Sequence, residues 1–100
     1  MEDPIHHFEI NVGDLKRSLR FYAEMLEWLG YRKTLDEKEV VGWRKDKTSI
    51  FLVQCEERFV SHGFHRKHVG LNHIAFRASS RNMVGIFYND HLVPRRVRVL

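Results

Sequence analysis

Between residues 5 and 12 the chain alternates. His6, Phe8, Ile10 and Val12 fall on one side, and Ile5, His7, Glu9 and Asn11 on the other. Period two with one apolar side predicts a half-buried strand. Gly13-Asp14 breaks it, and Asp14 suits the N-cap of a helix. From residue 15 to 29, Leu15, Leu19, Tyr22, Leu26 and Leu29 recur at steps of three and four. Phe21, Met25 and Trp28 widen this stripe, and Lys16, Arg17, Arg20, Glu24 and Glu27 lie largely opposite, the pattern of an amphipathic helix. Gly30 is placed to stop it. Three short strands are predicted next, over residues 31–35, 40–44 and 48–55, with polar turns at 36–38 and 45–47. The last is apolar on both sides and should be a central strand. Residues 56–69 read as a polar, histidine-containing loop.

The pattern then restarts. Residues 71–78 alternate again, Ser79-Ser80 should cap a helix running to about Leu92, and Pro94 should end it. Residues 96–99 alternate like the start of another strand. Residues 7–26 align without a gap on residues 73–92: His7 on His73, Phe21-Tyr22 on Phe87-Tyr88, and Leu26 on Leu92. Phe8 and Ile10 fall on Ile74 and Phe76. So many matches at one offset mark an internal repeat. The first unit, residues 5–70, reads as strand–helix–strand–strand–strand. The second, 71–100, holds a strand, a helix and the start of another strand. The expected class is α+β, within one structural domain.

Composition narrows the setting. Of the 100 residues, 43% are apolar and 30% charged, which argues against disorder and low-complexity sequence. No apolar run is long enough to cross a membrane as a helix, and Met1-Glu2-Asp3-Pro4 does not open a signal peptide. A single cysteine, Cys55, excludes an internal disulfide framework and a cysteine-rich zinc site, and fits a reducing, cytoplasmic compartment. Seventeen Lys and Arg against thirteen Asp and Glu give +4, which a solvated surface accommodates. Arg81, Arg95, Arg96 and Arg98 form a basic tail, but nucleic-acid binding is not the expected use of it.

The run from His6 to Tyr22, together with Gly70 to Arg77, closely resembles the openings of the two modules of the vicinal oxygen chelate superfamily. That group contains the glyoxalases, the bleomycin- and fosfomycin-resistance proteins and the extradiol dioxygenases. The similarity spans about residues 5–92 and comes nearest to glyoxalase-like proteins of unassigned substrate. It implies a glyoxalase-like βαβββ module followed by a second module cut off after its first strand and helix. It also implies that paired modules curl into a cup around a divalent metal, and that His7 and His73, the first-strand histidines, are ligands. Ni, Zn, Fe, Mn or Co would suit nitrogen-plus-oxygen ligation. The remaining family ligands come from the last strand of each module, often as Glu. Here that strand has no carboxylate, leaving Gln54 as oxygen donor with Glu56 behind it, and the second-module equivalent has no counterpart in these residues.

The resemblance supports two functions. The first is a metal-dependent enzyme of lyase, isomerase or dioxygenase type acting on a small oxygen-chelating substrate, with Glu9 as a candidate general base on His7's side of the strand. Trp43 and Phe51 are candidate substrate contacts. The second is a non-catalytic small-molecule binding or resistance-type protein that uses the same cup without metal. A sheet with one open face and an exposed edge also predicts self-association, most simply as a two-fold homodimer.

Overall fold

A computed structural model describes residues 4–63, 67–71, 73–87 and 89. The chain forms two compact units, residues 1–65 and 66–100, each described by itself.

In the first unit β1 (His7–Val12) leads through a short turn into α1 (Leu15–Trp28). Asp14 is the N-cap: its backbone is extended and its carboxylate accepts the Arg17 N–H at 3.2 Å. At the other end Gly30 takes φ +97°, a conformation costly for any residue with a Cβ. There the Gly30 N–H donates to the Glu27 carbonyl and the Tyr31 N–H to the Leu26 carbonyl, the paired bonds of a Schellman stop. The side chain of Lys45 adds a bond to the Leu29 carbonyl at 2.8 Å.

Three strands come next: β2 (Arg32–Asp36), β3 (Val40–Lys45) and β4 (Thr48–Gln54). β3 and β4 form a hairpin whose two-residue turn puts Asp46 at φ +52°, a conformation that Asp tolerates better than most residues. The sheet order is β1-β4-β3-β2, with β1 parallel to β4 and the other pairs antiparallel. The doubly apolar strand is therefore central, as its composition predicts.

Alternation divides the sheet into two faces. Leu15 and Leu26 of α1 are buried together with Val41, Trp43, Ile50 and Leu52 of β3 and β4. These six residues form the core on the helix-covered face, each burial contributing roughly 1.5–3 kcal/mol. Residues 57–60, expected within a loop, form a single helical turn, α2 (Glu57–Val60), with Phe59 and Val60 exposed.

In the second unit the Ser80 hydroxyl accepts the Met83 N–H at 3.2 Å and caps α3 (Arg81–Phe87). Residues 73–78 alternate in exposure as a strand does, with Ile74, Phe76 and Ala78 the more covered, yet they carry no strand pairing among the described residues. A strand exists only through its ladder partners, and the described part of this unit supplies none. The expected helical continuation to Leu92 falls mostly outside the described residues. So do Pro94, the alternation at 96–99 and the tail arginines other than Arg81.

Candidate functional site

The face of the sheet away from the core is built from the intervening residues, and the strand register sets them in rows. The first row runs His7, Ser49, Arg44, Arg32 across β1, β4, β3 and β2. The second runs Glu9, Phe51, Gly42, Leu35, and the third Asn11, Val53, Val40. A register shift between Lys33 and Leu35 keeps both Arg32 and Leu35 on this face. The face is thus basic at one end and aromatic-apolar in the middle.

Phe51 dominates the middle row. Its ring lies across Gly42 so closely that a Cβ there would stand 2.6 Å from Cδ1 and 2.7 Å from Cε1. Glycine is needed here for that approach rather than for backbone freedom. The ring also meets His7 edge-on, centroids 5.9 Å apart. His7 is exposed, and its Nδ1 lies 3.0 Å from the Nδ1 of His6, so one of these nitrogens carries the hydrogen and the other accepts it. Glu9 is exposed opposite Phe51.

The other candidates are dispersed. Trp43 does not join Phe51. It pairs with Ile50 on the covered face, is 0% exposed, and its indole N–H has no partner. One step along a strand reverses the face, and the hairpin register put Trp43 on the core side, which corrects its expected role as a substrate contact. Gln54 also points to the covered face, five positions beyond Ser49, the partner of His7, and so roughly 16 Å along the strand. Its carbonyl accepts the Leu15 N–H at 2.8 Å, and its amide nitrogen donates to the Gly13 carbonyl at 2.9 Å and the Cys55 carbonyl at 3.2 Å. The amide thus clamps the β1–α1 turn to the end of β4 and satisfies the first free N–H of the helix. Glu56 is exposed beyond that strand, paired with Arg58 at 2.9 Å. His73 is exposed in the second unit.

These positions test the fit to a metal centre of the family's kind. On β4 the residues sharing His7's face are Ser49, Phe51 and Val53, and the Phe51 ring occupies the place beside His7 from which a carboxylate of that strand would have to reach. Among the described residues no group of three or more His, Cys, Asp or Glu side chains is placed to hold an ion. On this face the first unit therefore sets Glu9 beside the imidazoles, but β4 adds no carboxylate to them. Glu39, Glu56 and Glu57 line a separate open depression of about 590 Å³, together with Gln54 and Cys55. It lies at the far end of β4 from His7.

Two features escape a reading of the sequence alone. His6 stacks with His7 although strict alternation sends it to the opposite side, because it precedes the paired strand. Arg32 and Arg44 become directly opposed neighbours. The short turn after Lys45 was a signal for the placement of Arg44, while the bulge that aligns Arg32 left none.

A βαβββ unit with one helix-covered face and one open face is the architecture of a glyoxalase-type module. The Glyoxalase/Bleomycin resistance protein/Dioxygenase superfamily matches residues 4–99, and the chain belongs to that superfamily. It is similar to the uncharacterized protein YqjT of Bacillus subtilis (strain 168), 40% identical over 96 residues, covering 96% of this chain and 74% of the relative. It is also similar to a crystal structure described as a "putative glyoxalase" from Bacillus halodurans, with a TM-score of 0.89 and 39% identity over 93% of this chain and 69% of the other. Among the described residues, no helix is long and apolar enough to cross a membrane.

Proposed function

We propose that the open sheet face binds a small organic molecule through Phe51, without requiring a metal, as a binding or resistance-type member of the superfamily. The observation that carries this reading is the Phe51 ring laid over Gly42 beside His7, which offers a flat apolar plate where the family's metal-ligating pattern calls for an oxygen donor. Apolar contact with a few flanking polar groups is the usual composition of a small-molecule site. His7 and Glu9 supply those groups, the first as a hydrogen-bond donor or acceptor, the second as an acceptor. Titrating aromatic fragments such as benzyl alcohol into the protein in the presence of EDTA, monitored by amide NMR, tests this. Shifts centred on Phe51 and abolished in Phe51→Ala are expected. No shift on this face, or shifts indifferent to Phe51→Ala, would reject the reading.

The convergence of His6 and His7 favours a second reading, a metal-dependent enzyme of glyoxalase type. In it His7, with His6, would hold a divalent ion that supplies Lewis acidity to a bound oxygen. Calorimetric titration with Ni and Zn, repeated on His7→Ala, decides between the two: saturable binding lost in the variant supports the second, and background heats in both proteins remove it.

The same proposal places the protein in the cytoplasm as a two-fold homodimer. Within the described residues β1 pairs with β4 alone, which leaves its outer edge as a template for another strand. Sedimentation equilibrium should return twice the 12.0 kDa chain mass; a single-chain mass at all concentrations would contradict the dimer.

A further inference from the structure

The row at one end of the open face is unusual in charge. Arg32 and Arg44 are directly opposed across an antiparallel pair, both exposed and on the same face, with His7 further along the row. Like charges so placed are destabilising. Among the described residues no carboxylate stands at ion-pair distance from them, although Asp46 lies two residues from Arg44 in the hairpin turn. Arg44 Nε donates to the Asp46 main-chain carbonyl at 2.9 Å, a neutral acceptor. Glu9, the carboxylate on the strands of this face, stands one row along and two strands from Arg44 and three from Arg32, roughly 12 and 16 Å at the usual spacings. Asp36 is engaged with Lys33, on the other side of β2.

We propose that Arg32 and Arg44 form an anion-binding end to the open face, and that its ligand is a small organic acid. The acid group, a carboxylate, phosphonate or phosphate monoester, sits between the two guanidiniums, and an aromatic or other flat apolar body lies over Phe51. The inference rests on the proposed ligand-binding reading of this face and specifies its ligand class. The geometry carries it. Phe51 and Gly42 are one row on, about 7 Å along the strands, within reach of a long arginine side chain folded toward them. Guanidinium forks match the paired oxygens of such acids, and an anion held there removes the repulsion that the bare pair sustains. His7, closing the same row, offers a neutral or cationic donor and no fixed negative charge.

The test uses the whole chain at low ionic strength with EDTA and three probes: phenylphosphonate, inorganic phosphate and benzyl alcohol, each monitored by amide NMR. Phenylphosphonate should shift the amides of Arg32, Arg44 and Phe51, and added salt should weaken it, because exposed charges are screened. Arg32→Gln or Arg44→Gln should weaken it by about fivefold or more, as expected for loss of one charge-assisted contact. Inorganic phosphate should shift the arginine rows and spare Phe51. Thermal melting of Arg32→Gln should show no drop, and a small rise, because a repulsion is removed; a clear drop would mark the arginine as structural and count against the site. Phenylphosphonate binding equally well to both arginine variants, or shifting amides elsewhere, overturns the inference. If benzyl alcohol then still moves Phe51, the ligand-binding reading stands without its anionic end; if no probe moves this face, both fall. Phosphate binding as tightly as phenylphosphonate rejects the apolar body of the ligand.

Discussion

Neighbouring residues of β4 have opposite fates. Ile50 and Leu52 are 4% and 0% exposed and pack with Val41, Trp43 and the helix, whereas Phe51, between them, is only half-buried and lies over a glycine on the other side of the same sheet. The covered face holds a closed core of neutral side chains, with no buried charge among the described residues and its charged pair, Lys33 and Asp36, exposed at the β2 edge. The open face holds two arginines, a histidine and a glutamate around one aromatic ring. One backbone thus carries two chemistries, because a strand sends successive side chains to opposite sides. The buried core belongs to the first face, and the second presents its side chains without a covering helix.

That division can be broken. Trp43→Ala should cost about 3–5 kcal/mol, whereas Phe51→Ala should cost about 1–2 kcal/mol, since less of its surface is removed from water. Urea denaturation of the two variants checks this, and equal costs would erase the distinction between the faces. Gly42→Ala comes next. The new methyl must displace the Phe51 ring, so we expect about 1–3 kcal/mol of destabilisation together with loss of aromatic-fragment binding, read by denaturation and NMR titration. Retained binding would show that the flat seat of the ring is irrelevant.

Gln54→Leu should cost about 1–2 kcal/mol by leaving the Leu15 N–H and the Gly13 carbonyl without the amide, and should speed hydrogen exchange at Leu15. A variant of unchanged stability that had lost metal affinity would instead return Gln54 to the ligand set. The smallest effect is expected at Trp43→Phe, within about 1.5 kcal/mol of the parent, because the loss of ring contacts is offset by removal of a buried N–H that has no partner. A much larger loss would mean that the indole nitrogen is satisfied, for instance by a buried water.

The candidate site was legible in parts. Residues whose role depends on one strand's own alternation, His7 and Glu9, read correctly as sharing an outward side, as did the cap at Asp14 and the stop at Gly30. Trp43 and Phe51 read as equivalents because both are aromatic and on strands; only pairing separates them. Gln54 was visible as the one amide in its strand, but its engagement with Gly13 and Leu15 depends on where β4 ends relative to the β1–α1 turn, some forty residues away in sequence. The repeat is equally instructive. Residues 7–12 and 73–78 carry the same alternation, yet the first is a strand because β4 lies beside it, while among the described residues the second has no such neighbour.

The chain's own pattern therefore determined the order of elements from β1 to β4, the boundaries of α1, the two sides of β1 and the kinship with the glyoxalase superfamily. These arise from local periodicity, capping and residue identity, all written within a few neighbours. Which strands adjoin, and in what register, was decided only in three dimensions, because those bonds join distant segments and a single bulge shifts a whole row. The opposed arginines, the ring over Gly42 and the burial of Trp43 are all products of that pairing.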